Sequence, residues 1–263
     1  MPCGRKNPSM SKELTTLFTG QHRQVLEQVE STNSFLGELL KKERIPEGFV
    51  VVARHQTAGR GQAHAKWKSE PGKNLLLSFV FYPSFVSVPD LFQINKAFSL
   101  GVSDLVKNIS GEKISIKWPN DIYHKDRKIA GILLENNLNS SSIQQTILGI
   151  GLNVNQDDFP KEVPNPTSLS LLCGKQFDCD EVLNELCSCL EARYLQLKRA
   201  EYSVLDTDFT NRLYRKDEWH LFMSERKEFE GMIKGVDKRG RMLVMHRNEI
   251  ERFYDLKEIK FIT

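Results

Sequence analysis

Apolar residues first fall into helical spacing at Phe35, Leu36, Leu39 and Leu40, and the polar run Ser31-Thr32-Asn33 just before them supplies an N-cap. The polar, unpatterned residues from 1 to about 20 are expected to fray, which makes this helix the first folded element. The period then changes. Phe49 to Ala53 (FVVVA) and Asn74 to Pro83 (NLLLSFVFYP) are continuous apolar runs, which predict two buried strands joined by a long loop. Helical spacing returns between Leu91 and Ile109 through Leu91, Ile94, Ala97, Phe98, Val102, Leu105 and Val106. Ile114 to Trp118 follows as a short strand ending at Pro119-Asn120. Ile129 to Glu135 and Ser142 to Leu152 read as a hairpin around the turn-rich stretch Asn136 to Ser141, so the sheet is expected to be mixed.

Pro160, Pro164 and Pro166 interrupt the pattern, and Cys179 to Ala200 resumes it through Val182, Leu183, Leu186, Leu190, Tyr194 and Leu197. That helix is read as closing the first domain. From Glu218 the texture shifts to short alternating segments, HLFM, EFEGMIKGV, RMLVMH and IERFYDL, with turns at Asp237 to Gly240 and Arg247-Asn248. Such spacing predicts a small β-barrel.

Composition narrows the class. With 263 residues the chain can hold one large domain or a catalytic domain plus a small appendage. No apolar run approaches the ~20 residues of a membrane span, and the N-terminus lacks a signal peptide's apolar core, so a cytoplasmic location is expected. Cys3, Cys173, Cys179, Cys187 and Cys189 are odd in number and lack paired zinc spacing, and are read as reduced thiols. A net charge of +3, from 37 basic and 34 acidic residues, leaves no broad footprint for nucleic acid.

Several segments could carry chemistry, and each has a plainer reading. Gln56 to Lys73 (QTAGRGQAHAKWKSEPGK) mixes glycines with Arg60, Lys66, Lys68 and Lys73 between two strands. Glycines let backbone approach a ligand and the cations suit phosphate or carboxylate, although a flexible surface loop has the same composition. It matches neither the P-loop nor the dinucleotide fingerprint. Lys117 to Asp121 (KWPND) stands at the C-terminal end of a strand, where α/β sheets present ligand contacts, or it is simply a strand-ending turn. Lys128 either reaches inward or faces water, as most lysines do. Gly149 and Gly151, two apart in ILGIGLNVN, bare one sheet face for a ligand or for packing. Trp67 and Trp118 either stack on a purine or fill the core.

Taken in order, STN (31–33), QTAGRG (56–61), KWPND (117–121), RKIAGILLE (127–135) and GIGLNVN (149–155) resemble the biotin protein ligase family from Ser31 through the C-terminal barrel. The resemblance implies an α+β fold, with a mixed sheet flanked by helices, class II synthetase-like and related to the lipoate ligases, followed by an SH3-like barrel. The implied organisation is a flexible 1–20, a catalytic domain over 21–215 and the barrel over 216–263. The implied activity is AMP-forming. The biotin carboxylate attacks the α-phosphate of ATP to give biotinyl-5′-AMP and pyrophosphate, and a lysine of a biotin carboxyl carrier protein then attacks the mixed anhydride.

Carried over motif by motif, Ser31, Thr32, Asn33, Gln56, Gly59, Gly131 and Lys128 would line the biotin site, and Arg60, Gly61 and Gln62 would belong to the loop that closes over it. Arg60, Trp67, Lys117, Asn120 and Asn153 would hold ATP and the adenylate. Lys128, Lys117, Arg60 and Asp121 would form the catalytic set, with Asp121 serving Mg2+ or the incoming lysine. No membrane or nucleic-acid partner is expected, since the residues before the first helix are too few for a three-helix DNA-binding domain. A homodimer stays open. The sequence departs from the family where Ala63, His64 and Ala65 replace the usual arginine and glycine, which removes a phosphate donor and makes φ > 0 at His64 costly. Two rivals remain: a lipoate or octanoate ligase, and a non-catalytic biotin-binding module. Biotin's ureido ring needs the paired hydrogen bonds that Ser31 to Asn33 and Gln56 can give, and intact Arg60, Lys117 and Lys128 argue for catalysis.

Overall fold

A computed structural model describes residues 14–62, 65–139 and 142–262. Its centre is a seven-stranded sheet in the order β1-β2-β3-β7-β6-β5-β4. These strands are β1 (Arg23–Val29), β2 (Val50–Gln56), β3 (Leu75–Phe81), β4 (Ile114–Lys117), β5 (Asp121–His124), β6 (Arg127–Leu138) and β7 (Ile143–Leu152). β1 runs parallel to β2 and every other neighbouring pair is antiparallel, so the sheet is mixed, as expected.

The two faces of β3 explain its nearly unbroken apolar sequence. Leu75, Leu77, Phe79 and Phe81 point into the main core beneath α2 (Phe92–Ser110) and α4 (Cys179–Lys198). Val80 points the other way, with Val51 and Ile147, against Leu36 of α1 (Thr32–Lys42). A strand covered by helices on both faces has no reason to alternate. Ser78 is the polar exception, fully buried on the α1 side.

A second sheet, ordered β11-β10-β9-β8-β12, comprises β8 (Trp219–Ser224), β9 (Lys227–Val236), β10 (Met242–His246), β11 (Glu251–Tyr254) and β12 (Lys260–Phe261). All its neighbours are antiparallel, consistent with the small barrel read from the alternating segments. It is welded to the first unit, since Phe222, Ile233, Met242 and Val244 belong to the same buried cluster as Phe98 and Ile116.

The two-residue β12 and four elements of the first unit were not anticipated. β1 and the four-residue β5 carry too few apolar residues to show a period. α3 (Leu169–Cys173) is a single turn and a half, capped by Ser168. α5 (Tyr202–Asn211) follows α4, so α4 does not close the first unit. The stretch expected to fray is also pinned over residues 17–19, where the backbone N–H groups of Leu17, Phe18 and Thr19 donate to the Glu191 carboxylate at 2.6, 3.0 and 2.9 Å. The tertiary partner is 172 or more residues away, out of reach of local reading.

Candidate active site

A cleft of about 180 Å³ opens on the α1 side of the central sheet. It is lined by Ser31, Thr32 and Asn33 at the start of α1, by Gln56 at the end of β2, by the loop residues Arg60, Gly61, Gln62, Ala65, Lys66 and Trp67, and by Pro119 to Asp121. Lys128, Gly131 and Ile132 of β6 and Gly149 to Gly151 of β7 form its floor and wall.

One end is a polar network built on buried side chains. The Thr32 backbone N–H donates to Gln56 Oε1 at 2.7 Å, and its hydroxyl reaches the same oxygen at 3.1 Å. Asn33 accepts from the Ser78 hydroxyl at 2.5 Å and donates to Glu135 Oε2 at 2.8 Å. Arg60 donates to that same Glu135 oxygen at 2.8 Å, tying the loop to β6. Ser31 holds the N-cap position of α1, yet its hydroxyl makes no cap bond there. An oxygen that helix starts usually consume is left for the cleft.

The other end is cationic and aromatic. Lys128 Nζ pairs with Asp121 Oδ1 at 2.7 Å and sits 5.7 Å from the centre of the Trp67 ring. The two glycines of GIG have a packing reason each. A Cβ on Gly151 would stand 2.3 Å from Trp67 Cε2, and one on Gly149 would stand 2.3 Å from Asn33 Oδ1. The bare strand face therefore seats Trp67 and the Asn33 amide. Trp67 Nε1 is buried and has no hydrogen-bond partner among the described residues.

The loop is held as two short arms. Gly61 N–H donates to Ala65 O at 2.7 Å and Trp67 N–H donates to Gly59 O at 2.9 Å, with Arg60 bridged to Lys66. Of the departure from the family pattern, Ala63 and His64 lie outside the described residues.

Most of the expected site residues come together here. Gly59 lines the adjoining groove instead. Asn120 lines the cleft and is fixed by donating to Ile132 O. Asn153 does not line it. Its Nδ2 donates to Thr167 O at 2.9 Å, and its Oδ1 is buried without a partner among the described residues. Lys117 does not line it either, because its ammonium lies among the rings of Tyr123, Tyr214 and Phe261. Burial pushes that ammonium below the usual lysine value, against the pull of Asp121. Ser78 and Glu135 were overlooked in the sequence. A lone serine inside LLLSFVF and an acid ending AGILLE were the available signals.

A magnesium ion carried on ATP phosphates needs only one or two protein carboxylates, and Asp121 would be the one to meet it. No three Asp, Glu, His or Cys side chains meet among the described residues, and Asp121, the one carboxylate lining the cleft, is already paired with Lys128.

Residues 25–153 match the model of the Biotin/lipoate A/B protein ligase family. The bifunctional ligase/repressor BirA of Bacillus spizizenii is 35% identical over 184 residues, covering 69% of this chain, and the chain spans only 56% of that relative's length. The biotin--[acetyl-CoA-carboxylase] ligase of Mycobacterium tuberculosis is 30% identical over 224 residues, covering 83% of this chain and 81% of its own. Among solved structures, a biotin protein ligase from Aquifex aeolicus in complex with biotin and ATP superposes with a TM-score of 0.77 at 27% identity, covering 92% of this chain and 99% of the other.

Proposed function

This chain belongs to the biotin protein ligase family, and we propose that it activates biotin with ATP to biotinyl-5′-AMP and transfers the biotin to a lysine of a biotin carboxyl carrier domain in the cytoplasm. The observation that carries this reading is the pairing, in one cleft, of a polar pocket at the start of α1 with a fixed lysine ammonium on β6. A bicyclic ligand with a ureido head and a carboxylate tail has those two needs.

Ser31, Thr32 and Gln56 offer hydroxyl and amide groups to the ureido ring, while Lys128 meets the carboxylate and stabilises it as it attacks the α-phosphate. Arg60 and Lys66 stand on the loop side, where phosphate charge would be offset. The Trp67 ring, seated over Gly131 and Gly151, supplies an apolar wall that excludes water from the mixed anhydride. The acceptor amine then attacks the acyl carbon and AMP leaves, with no covalent enzyme intermediate. Catalysis of this kind rests on positioning and charge neutralisation.

A lipoate or octanoate tail would leave the Ser31-Thr32-Gln56 groups unpaired, a penalty that disfavours such acids. The test is transfer. The purified chain is incubated with ATP, a carrier domain and either biotin or lipoate, and the carrier's mass is measured. A biotin-sized increment on the acceptor lysine with no lipoate increment is expected, and lipoylation in place of biotinylation would refute the assignment.

A further inference from the structure

We infer that Lys117 is a positioning residue, held in an aromatic cage that the C-terminal sheet completes, and that this sheet thereby fixes the loop carrying Asn120 and Asp121 into the cleft. The inference rests on the ligase reading above.

Lys117 Nζ lies 4.8 Å from the ring centre of Phe261, 5.2 Å from that of Tyr123 and 5.9 Å from that of Tyr214. The rings come from three places: β12 of the second sheet, β5 of the first, and the segment after α5. Tyr214 and Phe261 have further partners. Tyr214 donates its backbone N–H to Ile116 O at 2.9 Å and its hydroxyl to Asp126, while Arg215 stacks 4.9 Å above its ring. Phe261 is the register partner of Phe222 on β8, with ring centres 5.2 Å apart. No carboxylate of the described residues lies within ion-pair distance of Lys117, so the rings are its direct partners. An ammonium stripped of water gains more from such faces than an exposed one does.

The next residue is anchored on the turn that joins β9 to β10, since Trp118 Nε1 donates to Gly240 O at 2.9 Å. Residues 117 and 118 are thus both held by the C-terminal unit, and residues 119–121 immediately line the cleft. Asp121 is also the cross-strand partner of Lys117 and the ion-pair partner of Lys128. Without the cage contact the end of β4 and the turn after it lose an anchor, and the Asp121–Lys128 pair loses its fixed position. A lysine committed to three rings acts on the reaction through that loop and not by touching phosphate.

The decisive comparison is Phe261→Leu against Phe261→Tyr, which separates ring from bulk. In biotin-dependent pyrophosphate exchange, Phe261→Leu and Lys117→Met should each lower kcat by roughly 5–30-fold, the equivalent of ~1–2 kcal/mol for a desolvated cation–π contact. KM for ATP should stay unchanged, Phe261→Tyr should retain wild-type kcat, and the double variant should be no worse than either single one. Equal behaviour of the leucine and tyrosine variants, additive losses, or a raised KM for ATP in Lys117→Met would overturn the inference. Absence of exchange in the wild type would strike the ligase reading instead. The cage is then read directly by NMR, with the Lys117 side-chain protons assigned through Lys117→Met. Ring-current shifts that shrink in Phe261→Leu but not in Phe261→Tyr support the cage, and random-coil shifts in the wild type refute it.

Discussion

At the scale of single residues, the GIG glycines were visible in the sequence but their purpose was not, because the side chains that need the space come from α1 and from the long loop. The collision at Gly151 makes Gly151→Ala a direct probe. A methyl 2.3 Å from Trp67 Cε2 must displace the indole from the cleft. Such overpacking costs about 1–3 kcal/mol of stability, and the variant should also lose adenylate affinity, measured by thermal unfolding and by competition binding of a non-hydrolysable biotinyl-AMP analogue. Unchanged binding would show that Trp67 plays no part in closing the site. Lys117 makes the second probe. Burial holds its ammonium below the ordinary lysine value of ~10.4. Between the folded and unfolded values the unfolded chain binds more protons, so the folded state gains stability as pH rises through that window. The denaturation midpoint of the wild type relative to Lys117→Met should therefore move in the wild type's favour as pH rises toward the ordinary lysine value. A pH-independent difference would mean that the ammonium is solvated. Motif reading placed Lys117 beside phosphate because position in KWPND says nothing of which way a strand-end side chain turns, and β12 supplies the ring that decides it.

Among the elements, those with an uninterrupted apolar period were legible: α1, β2, β3, α2, β7 and α4 all lie within a few residues of where spacing put them. Those missed lack a period for physical reasons. β1 is an edge strand with Val25 and Glu27 exposed, so its sequence RQVLEQV has no core face to advertise. β5 is four residues long and begins at the cleft-lining Asp121, where chemistry and pattern compete. The anchoring of residues 17–19 belongs to this scale too. The nearly buried Glu191 carboxylate accepts three backbone N–H groups, an arrangement that an alanine cannot replace. Glu191→Ala should lower stability by about 2–4 kcal/mol through the orphaned donors. It should also make the chain before residue 20 rapidly cleavable in limited proteolysis. Glu191→Gln, which retains an acceptor, should fall between. A proteolysis rate unaffected by either change would show that the segment is held by something else.

On the scale of the whole molecule, the alternation from Glu218 onward announced a second sheet, and nothing in the sequence announced how closely it is fused to the first. The buried cluster runs from Phe98 and Ile116 into Phe222, Ile233 and Val244 without a break. Units that share a core unfold together. Hydrogen exchange in rising denaturant should therefore release β9 and β10 at the same concentration as β3 and β7, and a separate early release of the C-terminal strands would contradict a shared core. The resemblance to the family was carried by five short motifs, and residues of all five line the cleft. The proposed function requires that this cleft activate biotin. The most direct measurement is biotin-dependent exchange of labelled pyrophosphate into ATP, run for the wild type and Lys128→Ala with lipoate as the control acid. Exchange with biotin alone, reduced by about a hundredfold or more in the variant as expected when a charge-stabilising group is removed, is the outcome this geometry requires. Exchange that proceeds equally without Lys128, or none with biotin, would contradict it.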